Sequence, residues 1–270
     1  MKRVFTLTII LTIGLLFGCN SSGDKADKQE AVTIVNADTT IKKYLTVVFL
    51  DISGSFNKVQ KTGGFNDKNY FDLSCDELIS KIRNNMIIGQ ECLIVKAIQN
   101  ESFKDDALVY KLDLTDDKEY IFKEPKPKDD IKVNRWSQKK KAFEGDAIEK
   151  ANAEQDKAVK AITAFKDHYS GKGTDWTDLV NAFNGVKPQL ENVQYKEYIK
   201  RFIVYSDFRE TKMKDLTKLI IDLDSVSVEG RFVSKNQFET LEAYDKNKAA
   251  WQQILKCRSL TFKTPEETIK

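Results

Sequence analysis

The chain has 270 residues, 41% of them hydrophobic and 31% charged, with Lys+Arg 44 against Asp+Glu 41 and a formal net charge of +3. A balance this close to neutral supplies no overall field for nucleic acid. The one histidine and the isolated Cys75, Cys92 and Cys257, with no Cys-x-x-Cys spacing, exclude a zinc-type ligand set.

Met1–Cys19 reads as a targeting segment: Lys2-Arg3, then an apolar run from Val4 to Phe17, then Gly18 before Cys19. The run is short for a bilayer span. Leu16-Phe17-Gly18-Cys19 resembles a bacterial lipoprotein lipobox, which implies cleavage before Cys19 and lipid on its sulfur. Loss of Lys2 and Arg3 leaves 42 cations against 41 anions, about +1. Residues 20–43 read as a flexible tether rich in Ser, Asp and Lys. The remaining chain can bury one sizeable core.

Leu45–Leu50 is near-continuously apolar and β-branched or aromatic, as suits a strand covered on both faces. It ends on Asp51, followed by Ser53 and Ser55 around Gly54. Ligand groups of open α/β sheets gather beyond the carboxyl ends of strands, so the three oxygens are expected on one sheet-end loop. One carboxylate and two hydroxyls suit a hard cation of the Mg²⁺ or Mn²⁺ type, with Ca²⁺ as a further candidate.

Phe56–Asp72 contains Gly63-Gly64 and reads as a long loop. Ser74 and Glu77 form a capping-box pattern ahead of Leu78, Ile79, Ile82 and Met86, which predicts a helix. Glu91–Gln99 predicts a second strand, and the alternation in Ala107–Leu114 a half-buried antiparallel edge strand. Residues 116–141 combine Pro125, Pro127, Trp136 and charges of both signs, and read as a solvated insertion rather than a binding patch. A long helix is expected over about 137–169, either projecting or broken near Gly145.

In Ser170–Asp178, Gly171 and Gly173 open a turn ahead of a short helix at Trp176–Phe183, with Thr174 or Asp175 as its cap. The spacing is too short for a phosphate loop. Phe202–Tyr205 is a third buried-type strand and delivers Ser206-Asp207 to a second strand end. A helix at Met213–Asp222, a strand at Ser225–Val233, a helix at Asn236–Arg258 and a last strand at Leu260–Lys263 complete the pattern, leaving 264–270 as a tail. This alternation predicts a doubly wound, Rossmann-like α/β sheet, mostly parallel with one antiparallel edge strand.

Taken together, three stretches resemble a von Willebrand factor type A domain and its metal-ion-dependent adhesion site, over about 44–263. Asp51, Ser53 and Ser55 match the family's Asp-x-Ser-x-Ser. Gly173-Thr174-Asp175 matches its second loop and Asp207 its later strand-end acid. The resemblance implies that Ser53, Ser55 and Thr174 coordinate a divalent cation through hydroxyls; Thr177, close by in the sequence, is a second candidate for the threonine's place. Asp51 and Asp207 would act directly or through water, and an acidic residue of a partner protein would complete the shell. Two strand-end acids also occur in haloacid-dehalogenase-like phosphatases, but Ser53 stands where the proton-donating acid belongs, and no Gly-x-Ser-x-Gly is present. The sequence therefore reads as a non-enzymatic, metal-dependent binding protein on a lipid anchor in the bacterial cell envelope. A metal-free scaffold working through its insertion and long helix is the alternative. Cys75, Cys92 and Cys257 allow one disulfide or three buried thiols.

Overall fold

A computed structural model describes residues 41–58, 69–102, 107–211 and 219–268. The expected signal, the lipidation site Cys19, the tether up to residue 40, Gly63-Gly64 and most of the helix expected at 213–222 lie outside these residues. The elements in chain order are β1 (Tyr44–Asp51), α1 (Tyr70–Asn84), β2 (Glu91–Ile98), β3 (Leu108–Asp113), α2 (Asp117–Tyr120), α3 (Asp130–Tyr169), α4 (Leu179–Asn184), α5 (Lys187–Glu191), β4 (Ile199–Tyr205), β5 (Ser227–Arg231), α6 (Leu241–Leu255), β6 (Ser259–Lys263) and α7 (Pro265–Thr268). The six strands form one sheet in the order β3-β2-β1-β4-β5-β6, parallel except for the edge strand β3. This is the doubly wound, Rossmann-like α/β architecture that the alternation predicts.

β1 sits at the centre because its residues are apolar on both faces. Leu45, Val47 and Phe49 pack with Phe202, Val204, Phe183 and Trp251 on one side of the sheet. Val48 and Leu50 pack with Leu78, Ile82, Ile162 and Tyr205 on the other. Each such side chain, fully buried, contributes roughly 1.5–3 kcal/mol. Parallel pairing sets Leu50 beside Tyr205, so β1 and β4 end at the same height. The described residues all fall in one compact unit.

Helix boundaries differ from the sequence reading where long-range contacts decide them. Helix α1 starts earlier than the capping-box pattern suggests: Asn69 is the cap, its side chain accepting from Asp72 N. Ser74 is buried inside the helix, and its hydroxyl donates to the Tyr70 carbonyl. Glu77 is taken across the interface by the Arg231 guanidinium and the Tyr205 hydroxyl. Helix α4 is capped by Asp178 rather than by Thr174 or Asp175. Residues 219–222 carry no helix, and α6 is shorter at both ends than expected. Cys75, Cys92 and Cys257 are three buried free thiols.

Helix α3 runs unbroken for 40 residues. Gly145 does not interrupt it, since a side chain there would meet nothing within 4 Å. Its C-terminal half lays Ala147, Ala151, Ala158 and Ile162 on the sheet face beside α1. Small alanines let the helix axis approach closely. Residues 131–146 have no fully buried side chain; Phe143 packs partly buried against the core, and the turns before it project.

Candidate functional site

β1 ends on Asp51, which is fully buried. Both carboxylate oxygens are occupied: Oδ1 accepts from Ser53 N at 2.8 Å and Oδ2 from the Ser206 hydroxyl at 2.6 Å. Burial first, and the neighbouring Asp207 charge second, push its pKa from 3.8 up to about 7. Asp207, at the end of β4 and only 3% exposed, is also shifted upward, by burial above all. The Arg209 N–H and charge and the Ser55 hydroxyl partly oppose that shift. Ser55 Oγ donates to Asp207 Oδ2 at 3.1 Å, and Ser53 Oγ lies 3.4 Å from Ser55 Oγ. Asp51, Ser53, Ser55 and Asp207 thus form one polar chain across two strand ends, joined at Asp51 through the Ser53 backbone N–H.

The third stretch arrives by backbone contact. Gly54 N donates to the Thr174 carbonyl at 2.8 Å, and Thr174 N donates to the Ile52 carbonyl at 2.9 Å, so Ser53 and Thr174 pair as a parallel bridge. This approach requires glycine: a Cβ on Gly173 would overlap Gly54 Cα and lie 2.8 Å from Gly54 N. The structure therefore brings Thr174 to the same place as Ser53. Its hydroxyl, however, donates to the Trp176 carbonyl at 3.1 Å rather than to the serines or Asp207. Thr177 is buried, with its N–H donating to Thr211 Oγ1 at 2.7 Å. Ser53, Ser55, Asn57, Thr174, Thr177 and Arg209 are among the residues lining an open cleft of about 390 Å³.

Two residues that the sequence reading did not assign hold the site. Ser206 donates to Asp51 and accepts from Phe208 N at 3.1 Å, joining the two strand ends. Its place beside Asp207 was the available signal, but its target could not be read from one strand alone. Asn57 clasps the end of α3: its Nδ2 donates to the Tyr169 carbonyl at 2.6 Å, and its Oδ1 accepts from Gly171 N at 3.1 Å. Phe208 takes a left-handed φ of 57°, held by a buried ring and by a carbonyl that accepts from Trp251 Nε1 at 3.0 Å and Asn247 Nδ2 at 3.2 Å.

A divalent cation fits this set on one physical ground. Among the described residues, neither Asp51 nor Asp207 forms an ion pair with a lysine or arginine, although both are buried. Arg209 offsets only part of the cost at Asp207; two buried carboxylates without an ion-pair partner are costly, and a cation removes that cost. No group of three or more His, Cys, Asp and Glu gathers among the described residues. The donor set here is two carboxylates supplemented by hydroxyls, the chemistry of Mg²⁺ rather than of zinc. His168 stands on the last turn of α3 against the Tyr169 ring, 4.6 Å between centroids.

No protein-family model matches the sequence, and no curated protein matches it. Among solved structures, two crystal forms of proximal thread matrix protein 1 from the mussel byssus are similar at 12% identity, with TM-scores of 0.43 and 0.41. The alignments cover 85% and 84% of this chain but 46% and 44% of theirs, so this chain spans less than half of those proteins. A likeness this loose assigns neither family nor function.

Proposed function

We propose that the chain is a lipid-anchored protein of the bacterial cell envelope, lipidated at Cys19, whose domain is similar to a von Willebrand factor type A domain. The cleft above β1 and β4 binds one Mg²⁺ or Mn²⁺ ion, or Ca²⁺, and through it an acidic residue of a partner protein. The observation that carries this reading is the pair of buried carboxylates, Asp51 and Asp207, neither in an ion pair among the described residues and each accepting from a serine hydroxyl.

Ser53, Ser55 and Asp207 would hold the ion, with Thr174 supplying a further hydroxyl once it leaves the Trp176 carbonyl. Asp51, with both oxygens already engaged, positions Ser53 and Ser206. The ion supplies a Lewis-acidic centre that neutral hydroxyls quench less than carboxylates would, so it retains attraction for an external carboxylate. Arg209 and Lys58 line the same cleft and add positive field at its mouth. The role is binding rather than catalysis.

Calorimetric titration of the chelator-stripped chain, from Asn20 onward, with Mg²⁺ and Mn²⁺ tests the reading. A single saturable site lost in Ser53→Ala and Asp207→Asn, with the circular dichroism unchanged, is the expected result. Absence of binding by the parent chain would overturn it in favour of a metal-free scaffold.

A further inference from the structure

The positive charge of this chain is concentrated in one place. Residues 123–141 carry eight Lys and Arg against three Asp and Glu, a net +5, whereas the rest of the chain, with 36 cations against 38 anions, is −2. Two of the three acids are used locally. Asp129 caps α3 by accepting from Ile131 N and Lys132 N, and Glu124 pairs with Lys139 at 3.3 Å. Among the described residues Lys126, Lys128, Lys132, Arg135 and Lys141 form no ion pair.

This charge sits on a braced projection. Phe122 packs on Trp136 and Phe143, with ring centroids 5.8 and 5.6 Å apart, and the Trp136 indole donates to the Glu124 carbonyl at 2.8 Å. The extended segment Phe122–Lys128 is thereby clamped along the exposed half of α3. Ile131, in the first turn, is 84% exposed. Lys150, Ala153 and Glu154 of α3 line one pocket with Asp113, where β3 ends, so this stretch marks the lower edge of the sheet. At 1.5 Å per residue, 130–142 extends roughly 20 Å beyond Phe143, where α3 first packs on the core. The other end of α3 leads into Thr174. The basic tip and the metal cleft are therefore at opposite ends of the molecule.

The chain from the N-terminal segment enters at the basic end. Lys43, immediately before β1, pairs with Asp117 Oδ1 at 2.6 Å, and Lys123 pairs with Oδ2 of the same carboxylate at 2.7 Å. One aspartate thus joins the point where the tether enters to the root of the projection.

We propose that the half-helix 130–146 and its Phe122–Lys128 brace form a basic foot that docks on an anionic lipid surface and holds the metal cleft facing away from it. The surface is convex and lysine-rich: dispersed point charges suit a diffuse anionic plane better than a bidentate site. The exposed Ile131 among cations is the composition expected at a headgroup boundary. Its place on the side where the tether enters selects a membrane over a soluble polyanion. The inference extends the membrane-anchored reading and is tested without the anchor, so the two can fail separately.

The experiment is co-sedimentation of the chain from Asn20 onward, lacking the lipid site, with vesicles of phosphatidylcholine alone or with 30% phosphatidylglycerol. Binding to the anionic vesicles only, weakened by 0.5 M salt, is expected. With each surface cation worth roughly fivefold, combined Lys126→Gln, Lys128→Gln, Lys132→Gln and Arg135→Gln should lower it by nearly three orders of magnitude, about 600-fold. Equal binding to both vesicles, no binding to either, or retention by the fourfold variant would overturn the proposal. So would tighter binding to a DNA oligonucleotide than to the vesicles, which would make the partner a nucleic acid. The anchor is tested separately, by fatty-acid labelling of the full chain against Cys19→Ser.

Discussion

Asp51 and Asp207 end neighbouring parallel strands and both lie buried, and the charge of Asp207 raises the pKa of Asp51 in addition to the larger effect of burial. The consequence for stability has a definite sign. Asp51 titrates at about 7 in the folded chain against an ordinary 3.8, so its contribution favours folding below about pH 4 and is lost as pH rises toward 7. A bound cation stabilises the ionised form and removes that loss. Thermal unfolding in chelator and in saturating Mg²⁺ should therefore diverge with pH, with the gap small at pH 5 and widest near pH 8. Other titrating groups cancel in the difference. Equal midpoints at every pH would rule out a cation on these carboxylates.

Ser206 joins the two strand ends, and its removal should show in metal binding more than in folding. Ser206→Ala leaves one oxygen of Asp51 and the Phe208 N–H without partners, a cost of about 1–3 kcal/mol. Supporting groups around a metal typically control affinity by roughly 10–100-fold. Titration of Ser206→Ala with Mn²⁺ is expected to show a loss in that range with the sheet intact by circular dichroism. Unchanged affinity would mean that Asp51 does not need this bond.

The central strands were legible because burial on both faces leaves a continuous apolar run, as in Leu45–Leu50. The strand-end acids were legible because such runs stop abruptly at Asp51 and Asp207. The start of α1 was not: Ser74-x-x-Glu77 has the form of a cap, but Ser74 is buried and Glu77 answers to Arg231, 154 residues away. Nor was the start of α3, where Asp129 provides a cap inside a stretch whose prolines and charges read as solvated coil. Ser206 and Asn57 were missed for a common reason. Each acts on a group delivered by another element, and only the register of β1 with β4 and the return of α3 bring those groups together.

Asn57 is 2% exposed and is the only side chain shown bonding both the last carbonyl of α3 and the loop beyond it among the described residues. Asn57→Ala would remove both bonds, while the Tyr169 carbonyl keeps the Lys172 N–H and Gly171 is exposed, so the cost is that of two net hydrogen bonds, about 1–3 kcal/mol. For a chain of this size that lowers the melting midpoint by a few degrees. Hydrogen exchange should locate the loosening in 170–176 rather than in the sheet. Exchange rising uniformly would show instead that the loop is held by other contacts.

Two glycines, Gly173 within that loop and Gly145 within α3, separate packing from propensity. Gly173 meets Gly54 so closely that a Cβ cannot fit without displacing backbone. Gly173→Ala must therefore move the loop, break the Gly54–Thr174 and Thr174–Ile52 bonds, and carry Thr174 away from Ser53. Metal affinity should fall steeply while the core, which the loop does not enter, keeps its midpoint within a few degrees. Gly145 lies inside α3 with open space around it. There the methyl group meets nothing, and alanine loses less backbone freedom on folding than glycine does. Gly145→Ala should stabilise the projecting half of α3 by roughly 0.5–1 kcal/mol and leave metal binding unchanged. Helicity by circular dichroism and Mn²⁺ titration of the two variants would distinguish these effects. If Gly173→Ala bound metal as well as the parent chain, Thr174 would be no part of the site.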